Sequence, residues 1–397
     1  MIYRLNFWKR GSHDALSSRT VLVVIAGGLQ DGGGIGRQMG YFLNACRENE
    51  PTVHYQVVDS RGPQYLGSSP LLILSACIFL GRAIFALVRA RLSSPCVAHV
   101  NIAGRGSTIR KIVLTSAARL LGMRYVLHLH DYDYGAYYET RGRFLKKRIE
   151  TVFRRAEAVI VLGRRDLEVI PDLLGVDRQR MIVMHNAVAD PKPDPRKQST
   201  SERPCHLLFL GYLSARKGVA DLLRALASPT TKPLPWRLTL AGSGAIDEFR
   251  NLADEIGVLE RLRFTGWIGE AAVSDLCADA DVLVLPSYAE GLAMSVLEGL
   301  SHGLAVVTTP VGAHSEVIEP EVSGIMVPPG DVDALSEALA RVIQDEGLRS
   351  RLSKGARDRF IEGFDVGRYA IRLEQFHASL FAPRRDQQKF VEKGLIL

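Results

Sequence analysis

Cysteine is scarce in this 397-residue chain, and its spacing excludes the usual structural roles of the residue. The five cysteines are scattered, odd in number and never form a Cys-x-x-Cys pair; they are Cys46, Cys77, Cys96, Cys205 and Cys277. Disulfide-stapled domains use even sets of cysteines, and zinc knuckles need closely spaced pairs. We therefore predict neither feature, and the pattern favours the reducing environment of the cytoplasm.

Long hydrophobic runs are also absent. Three of the first ten residues are basic, but no apolar stretch of signal-peptide length follows them, so secretion is not indicated. The most apolar stretch, 70–92, is interrupted by Arg82, and only about ten residues, 71–80, are unbroken. A bilayer-spanning helix needs roughly 20 apolar residues, so we predict no membrane span here.

Positive charge is unevenly distributed along the chain. Residues 1–190 hold 26 Lys and Arg against 15 Asp and Glu, a balance of +11, whereas residues 191–397 hold 24 against 28, a balance of −4. No recognisable nucleic-acid-binding module or aromatic platform accompanies the basic half, so we predict no nucleic acid partner. An anionic membrane surface or a ligand that carries pyrophosphate fits this charge better.

Two features of the basic half bear on membrane attachment. Ser75, Arg82 and Arg89 fall seven apart and form a single polar stripe on the otherwise apolar segment 70–92. This helix either covers a sheet or lies on a membrane surface, and the sequence leaves both readings open. A basic run follows, which by itself is typical of a solvated face; it contains Arg141, Arg143, Lys146, Lys147, Arg148, Arg154 and Arg155.

The chain is longer than a single hydrophobic core usually allows, which predicts two domains. A proline-rich, almost apolar-free segment at 190–204 is typical of a linker. Short β-branched runs alternate with helical stretches on both sides of it, which predicts two parallel, doubly wound α/β sheets. The predicted strands are 21–26, 53–58, 97–100, 125–130, 158–162 and 181–184 before the linker, and 206–210, 237–241, 262–265, 281–285, 305–308 and 325–327 after it.

Candidate functional residues follow the ends of these strands. In open α/β sheets, ligands bind beyond the carboxyl ends of the strands. The residues at these positions are Gly32 to Gly36, His130 and Asp131, Arg216 and Lys217, Gly242 to Gly244, and Glu290. Both predicted domains would therefore present chemistry to one shared cleft.

The most informative segment contains two glutamates eight residues apart. Glu290 lies in the turn after the predicted strand 281–285, and Glu298 lies about two helical turns further on. The unpaired amides in the first turn of such a helix are suited to a phosphate or diphosphate. Two acids on either side of anion-binding amides suit a ligand with hydroxyls on both sides of a phosphate, as in a sugar nucleotide.

Together with its continuation through Pro310-Val311-Gly312, this segment resembles the Glu-x7-Glu signature of family 4 glycosyltransferases. The resemblance implies retaining enzymes of the GT-B fold, in which two Rossmann-like domains face a cleft. It implies an acceptor-binding domain at 1–190, a linker at 191–204, a nucleotide-sugar domain at 205–363 and a helical tail at 364–397 that returns to the first domain. The implied partners are a nucleoside diphosphate sugar and a saccharide or polyprenyl-linked acceptor of cell-surface polysaccharide synthesis, at the inner face of the cell membrane.

The resemblance also implies roles for individual residues. His130 and Glu290 would contact the transferred sugar, and Glu298 would bind the ribose. Lys217, with Arg216 as a second charge, would neutralise the leaving diphosphate, although Tyr212 stands where many relatives carry arginine. Further donor-binding candidates are Gly33, Gly34, Gly242, Gly244, Trp267, Ile268, Gly291, Leu292, Ala293 and Met294.

The sequence leaves several alternatives open. Trp267 is equally compatible with a core position, and the turn at Asn186 resembles an Asn-Gly-Val turn of the family with alanine in place of glycine. An NAD-dependent oxidoreductase would use a glycine fingerprint, but Met39 stands where the third glycine belongs, and Asp59 would be its ribose contact. A catalytically inactive scaffold of the same fold is the other alternative. The Asp-x-Asp sequences at 131–133 and 279–281 match a metal motif of a different glycosyltransferase fold, and we expect no metal and no cofactor.

Overall fold

The computed structural model describes residues 19–29, 33–49, 51–62, 70–191 and 203–382, without the side chains of 70–73. Its strands form two six-stranded sheets in which every pair of named neighbours is parallel. The first sheet has the order β2-β1-β3-β4-β5-β6 and contains β1 Thr20–Ile25, β2 His54–Asp59, β3 Cys96–Ile102, β4 Arg124–Leu129, β5 Val159–Val161 and β6 Met181–Val183. The second has the order β12-β11-β10-β7-β8-β9 and contains β7 Cys205–Leu210, β8 Trp236–Ala241, β9 Leu262–Gly266, β10 Val282–Leu285, β11 Ala305–Thr308 and β12 Ile325–Met326.

Helices alternate with the strands along the described chain. They are α1 Gly33–Glu48, α2 Pro70–Ser93, α3 Gly106–Leu120, α4 Tyr134–Glu139, α5 Arg143–Arg154, α6 Arg164–Leu174, α7 Val219–Ala227, α8 Ile246–Glu255, α9 Glu270–Asp279, α10 Met294–Ser301, α11 His314–Val317, α12 Val332–Gln344, α13 Glu346–Gly363 and α14 Val366–Ser379. The predicted class, with two doubly wound α/β sheets, is confirmed.

The strands are buried because helices cover both faces of each sheet. All four residues of β10, with the sequence Val-Leu-Val-Leu, are fully buried. Continuous apolar runs of this kind are typical of parallel strands, since both of their faces are removed from water. In β1, alternate residues point into two separate hydrophobic clusters, one on each face of the first sheet.

The chain returns to the first sheet near its end. The backbone amide of Val188 donates to the carbonyl of Phe364, and that of Val366 donates to the carbonyl of Val188. Helix α14 then packs against α1. The predicted linker 191–204 falls mostly on 192–202, and the end of the predicted tail on 383–397; both segments lie outside the described residues.

Helix α2 has a buried face and an exposed apolar face. Ala83, Leu87 and Ala90 are buried in the cluster under the first sheet. Leu74, Ile78, Phe85 and Leu92 are 51–83% exposed, and Arg82 and Arg89 are exposed as well. The helix therefore covers the sheet, which was one of the two predictions for it. It also has an apolar face that nothing covers within the described structure.

Candidate functional site

Close backbone contacts shape the carboxyl edge of the second sheet. The amide of Gly242 donates to the carbonyl of Gly266, and that of Gly211 donates to Ala241. A Cβ atom on Gly242 would lie 1.8 Å from the carbonyl oxygen of Gly211, and one on Gly244 would lie 2.3 Å from that of Leu213. Glycine at 242 and 244 is thus required for three loops to meet at this edge.

A cation cluster surrounds Glu290 at the same edge. Lys217 Nζ lies 2.6 Å from Glu290 Oε1, and Arg216 Nη1 lies 3.3 Å from the same oxygen. Burial acts to raise the pKa of Glu290, but the lysine and arginine outweigh it and hold this pKa below the ordinary value. Burial lowers the pKa of Lys217, which Glu290 partly counteracts. Two cations thus share one carboxylate here.

The turn before α11 fixes the loop that follows Glu290. The His314 Nε2 atom accepts a hydrogen bond from the Ala293 amide at 3.4 Å, while its Nδ1 atom lies 3.1 Å from the carbonyl oxygen of Thr309. A Cβ on Gly312, which has a φ of +58°, would lie 2.1 Å from the carbonyl oxygen of Glu290. The pKa of His314 is lowered to about 4, primarily by burial, so the ring is neutral and can accept this bond.

Glu298 pairs with a residue of the first domain. Arg37, on α1, donates from Nη1 to Glu298 Oε1 at 2.7 Å, and the glutamate side chain is only 8% exposed. Burial raises the pKa of Glu298, and Arg37 opposes this rise. The structure therefore places an arginine at the carboxylate that the resemblance assigns to a ribose.

His130 is oriented by a neighbouring strand. Its Nε2 atom lies 2.7 Å from Asn101 Oδ1, and the Asn101 amide nitrogen donates to the carbonyl of Val24. Because that second bond fixes the amide orientation, His130 donates from Nε2 and keeps Nδ1 as its acceptor. Burial lowers the pKa of His130 to about 3, so the ring is neutral. A Cβ on Gly291 would lie 3.6 Å from the carbonyl oxygen of His130, which brings the two domains together at the site.

Other contacts join the two domains near the loop that follows Glu290. Asn186 donates from Nδ2 to the carbonyl of Leu292 at 2.9 Å. Glu316 accepts from the Arg164 amide at 2.7 Å and lies 3.0 Å from His185 Nε2. Asn186 carried little weight in the sequence, yet it is buried and directly contacts the predicted donor loop.

The remaining predicted donor residues are dispersed around the cleft. Gly33 and Gly34 begin α1 and are exposed, while Gly32 lies outside the described residues. Trp267 is 74% exposed, so the alternative of a core position is wrong, whereas Ile268 packs against the core. Met294 begins α10 behind the buried pair Leu292 and Ala293.

Three residues at this edge are missing from the sequence prediction: Arg37, Asn101 and His314. Arg37 directly follows the glycine cluster Gly32 to Gly36, and Asn101 lies directly opposite His128 in the pairing of β3 with β4. His314 lies two positions after Gly312. Nearness to a motif could therefore have found Arg37 and His314, whereas the place of Asn101 is evident only from the strand pairing.

Residues of the dinucleotide-binding alternative and of the Asp-x-Asp sequence at 131–133 have other contacts in the structure. Met39 is fully buried on α1 and packs in the core, so it does not form part of a phosphate loop. Asp59 Oδ1 already accepts from the amides of Gly27, Arg61 and Gly62. Asp131 likewise accepts from the amides of Gly104 and Asp133, and no group of three potential metal-binding side chains occurs among the residues that the structure describes.

Comparison with known proteins agrees with this arrangement. Residues 191–359, less than half of the chain, match the family described as glycosyl transferases group 1. An uncharacterized glycosyltransferase of Methanocaldococcus jannaschii is 33% identical over 152 residues, 38% of this chain and 39% of that protein. The UDP-Gal:alpha-D-GlcNAc-diphosphoundecaprenol alpha-1,3-galactosyltransferase of Escherichia coli is 23% identical over 280 residues, 66% of this chain and 71% of that protein.

The structural likeness covers nearly the whole chain. Sucrose-phosphate synthase from Thermosynechococcus elongatus superposes with a TM-score of 0.74 at 20% identity, over 92% of this chain and 99% of that one. The fold is therefore that of GT-B glycosyltransferases, as predicted. The chain spans less than two thirds of the length of the first curated relatives that it matches.

Proposed function

We propose that this protein is a retaining glycosyltransferase that transfers a hexose from a nucleoside diphosphate sugar to an acceptor. The observation that carries the proposal is the buried Glu290, paired with Lys217 and Arg216, at the turn that leads into α10. It lies within the segment that matches the glycosyltransferase family. A cation pair that shares one carboxylate retains positive charge for a diphosphate.

In the proposed reaction, the bond between the anomeric carbon and the diphosphate oxygen breaks while the acceptor oxygen bonds to that carbon on the same face. The acceptor proton goes to the leaving diphosphate oxygen. Lys217 and Arg216 stabilise the negative charge that develops there, and the amides at the start of α10 assist them. His130 and Glu290 orient the sugar, and Glu298 holds the ribose, so the protein mainly positions reactants and stabilises charge.

A thermal-shift screen with UDP, GDP and ADP tests the donor part of this proposal. A ligand present at 100 times its dissociation constant stabilises the folded state by about 2.7 kcal/mol. We expect one of the three nucleotides to raise the melting temperature and the corresponding sugar nucleotide to do so as well. If no nucleoside diphosphate shifts the melting temperature, the proposal is wrong.

We further propose that the first domain binds a polyprenyl-linked saccharide at the inner face of the cell membrane. Helix α2 packs against α3, and α3 against α5, on one side of the first sheet. These helices expose apolar side chains, which are Leu74, Ile78, Phe85, Leu92, Ile109, Val113, Leu120 and Phe144. Phe144 lies among exposed cations of α5, including Arg143, Lys147 and Arg148. We call the surface formed by these exposed side chains of α2, α3 and α5 the basic apolar face.

Apolar side chains beside cations are suited to an anionic lipid surface. The E. coli relative is named for an acceptor sugar carried on diphosphoundecaprenol, which supports this location. The described helices include none that is both long and apolar enough to span a bilayer. Any attachment through the basic apolar face would therefore be to the membrane surface.

Flotation with anionic liposomes tests the attachment. We expect binding at low salt that weakens at high salt, because each near-surface cation contributes about 1 kcal/mol of screened attraction. The double variant Phe85→Ser/Leu92→Ser should float less. The control is Ile361→Ser/Ile371→Ser, which removes two apolar side chains, 46% and 49% exposed, from α13 and α14. No flotation of the wild type at low salt, or equal losses in both double variants, would remove the membrane claim and leave the transferase claim intact.

A further inference from the structure

A row of buried imidazole rings crosses the first domain behind the cleft. His377 Nε2 lies 2.9 Å from His99 Nδ1, and His99 Nε2 lies 3.3 Å from His128 Nδ1. The ring of His128 stacks on that of His130, with 4.0 Å between centroids and 32° between planes. At the far end, the Tyr55 hydroxyl lies 3.0 Å from His377 Nδ1. We call Tyr55, His377, His99 and His128 the histidine row.

The histidine row joins two distant parts of the chain. His377 belongs to α14, the helix that packs on α1 after the chain has passed through the second domain. His99 and His128 belong to the neighbouring strands β3 and β4, and His130 follows directly after β4. The last helix therefore reaches the candidate sugar-binding histidine through side chains alone.

The hydrogen-bond pattern determines which ring nitrogen of each histidine carries the proton. His128 Nε2 is buried and has no hydrogen-bond partner among the residues that the structure describes. Buried N–H groups without an acceptor are rarer than buried acceptors without a donor. His128 therefore carries its proton on Nδ1 and donates to His99, which donates through its own Nδ1 to His377.

The chain of hydrogen bonds ends at a side chain that accepts the last one. In this assignment His377 donates from Nδ1 to the Tyr55 hydroxyl, which donates to the thiol of Cys46, its hydrogen-bond partner. Every N–H and O–H of the row then has an acceptor. Reversing the direction would leave a buried N–H of His128 unpaired, which is unfavourable.

We propose that the histidine row is a positioning network through which the docking of α14 sets the orientation of His130. His377 and His99 are positioning residues in this inference, because the ring that stacks on His130 is that of His128. The inference rests on the proposed function only for its effect on catalysis. The coupling between α14 and His130 itself is independent of the reaction.

Burial keeps the row uncharged, which such a network needs. It lowers the pKa of His99 to about 4 and those of His128 and His377 well below the ordinary value. A neutral imidazole has one donor and one acceptor nitrogen, so the state of each ring fixes that of the next. Four rings that served only to fill space would not need this alignment of nitrogens.

Kinetics of two α14 variants separate positioning from packing. His377→Phe keeps the ring volume but removes both hydrogen bonds, and Leu373→Ala opens a cavity on the same helix without removing a hydrogen bond of the row. We expect His377→Phe to lower kcat roughly ten- to a hundredfold, as for a small misplacement of a reacting group, with nucleoside diphosphate affinity unchanged within about twofold. Tyr55→Phe, a milder change at the end of the row, should act in the same direction. A kcat loss in Leu373→Ala equal to that in His377→Phe would overturn the inference.

Histidine ring NMR provides a readout that does not require activity. With ¹⁵N-labelled histidine, we expect His128 to be protonated at Nδ1 in the wild type and the His130 ring signals to move in both His377→Phe and Tyr55→Phe. Unchanged His130 signals in these folded variants would refute the coupling, whatever the reaction. Changed signals in a protein that transfers no sugar would instead support the coupling and refute the proposed function.

Discussion

Replacing the two glutamates one at a time should separate nucleotide binding from turnover. Glu298 is assigned to the ribose, which the sugar nucleotide and the free nucleoside diphosphate share. Glu298→Ala should therefore weaken both ligands. Losing one hydrogen bond to a charged group costs about 1.5–3 kcal/mol, which is roughly a tenfold to more than a hundredfold loss of affinity.

Glu290→Ala should have a different effect. It removes the carboxylate 2.6 Å from Lys217 Nζ, a side chain that is only 11% exposed. Without this carboxylate, a bound diphosphate would supply the negative charge that balances Lys217. We therefore expect nucleoside diphosphate affinity to be unchanged or increased. Turnover should fall tenfold to more than a hundredfold if the contact of Glu290 with the sugar is stronger in the transition state than in the ground state.

Loss of the ion pair between Glu290 and Lys217 should also lower the stability of the folded protein, so the experiment needs a more stable variant as a control. Breaking a buried ion pair by removing one partner typically costs about 3–5 kcal/mol. Glu290→Gln, which keeps the shape and a hydrogen-bond acceptor, should therefore be more stable than Glu290→Ala and still turn over slowly. Calorimetric titration of nucleoside diphosphate into the folded variants, beside steady-state kinetics, is the assay. Equal affinity losses in Glu290→Ala and Glu298→Ala, or near-normal turnover in Glu290→Ala, would refute the assignment.

Two further predictions concern the fold around the site. Burial and Arg110 lower the pKa of Lys111 from 10.5 to about 7. Between these two pH values the unfolded chain binds more protons than the folded one, so the stability of the protein rises with pH. Lys111→Met should therefore raise the urea midpoint at about pH 6, and its advantage over the wild type should be smaller at about pH 9.5. A pH-independent difference between the two proteins would contradict this. Gly312→Ala should abolish nucleotide binding because its Cβ would lie 2.1 Å from the carbonyl oxygen of Glu290, whereas Gly303→Ala, at a similar φ of +62° but with 3.5 Å of clearance, should bind normally. Equal affinities of these two variants in a titration would count against the role of the 312 turn.

The strands were predictable because burial on both faces leaves a local signal. The run predicted at 281–285 is β10 Val282–Leu285, and that predicted at 206–210 is β7 Cys205–Leu210. Each of the twelve predicted strands has its counterpart in the structure. Parallel strands read as continuous β-branched and apolar runs between turns, so a short window of sequence is sufficient to find them.

The contacts within the site depended on tertiary proximity, which no local pattern reveals. Arg37 and Glu298 are 261 positions apart in sequence, yet their side chains lie 2.7 Å apart. His377 is 278 positions from His99. His128 and His130 are two positions apart, which puts both on one face of a strand, but what covers that face depends on where α14 docks. The two faces of α2 show the same limit, because composition indicates an apolar helix without saying which side meets the sheet.

The most direct test of the central claim is donor consumption by the purified protein. The sugar nucleotide whose nucleoside diphosphate gives the thermal shift is incubated with a panel of polyprenyl diphosphate saccharides, and released nucleoside diphosphate is measured against sugar transferred to lipid. We predict equal amounts of both products, in a reaction that Glu290→Ala slows at least tenfold while nucleotide binding persists. Tight binding of the sugar nucleotide with no transfer to any acceptor would instead identify a catalytically inactive GT-B scaffold and contradict the proposed transfer.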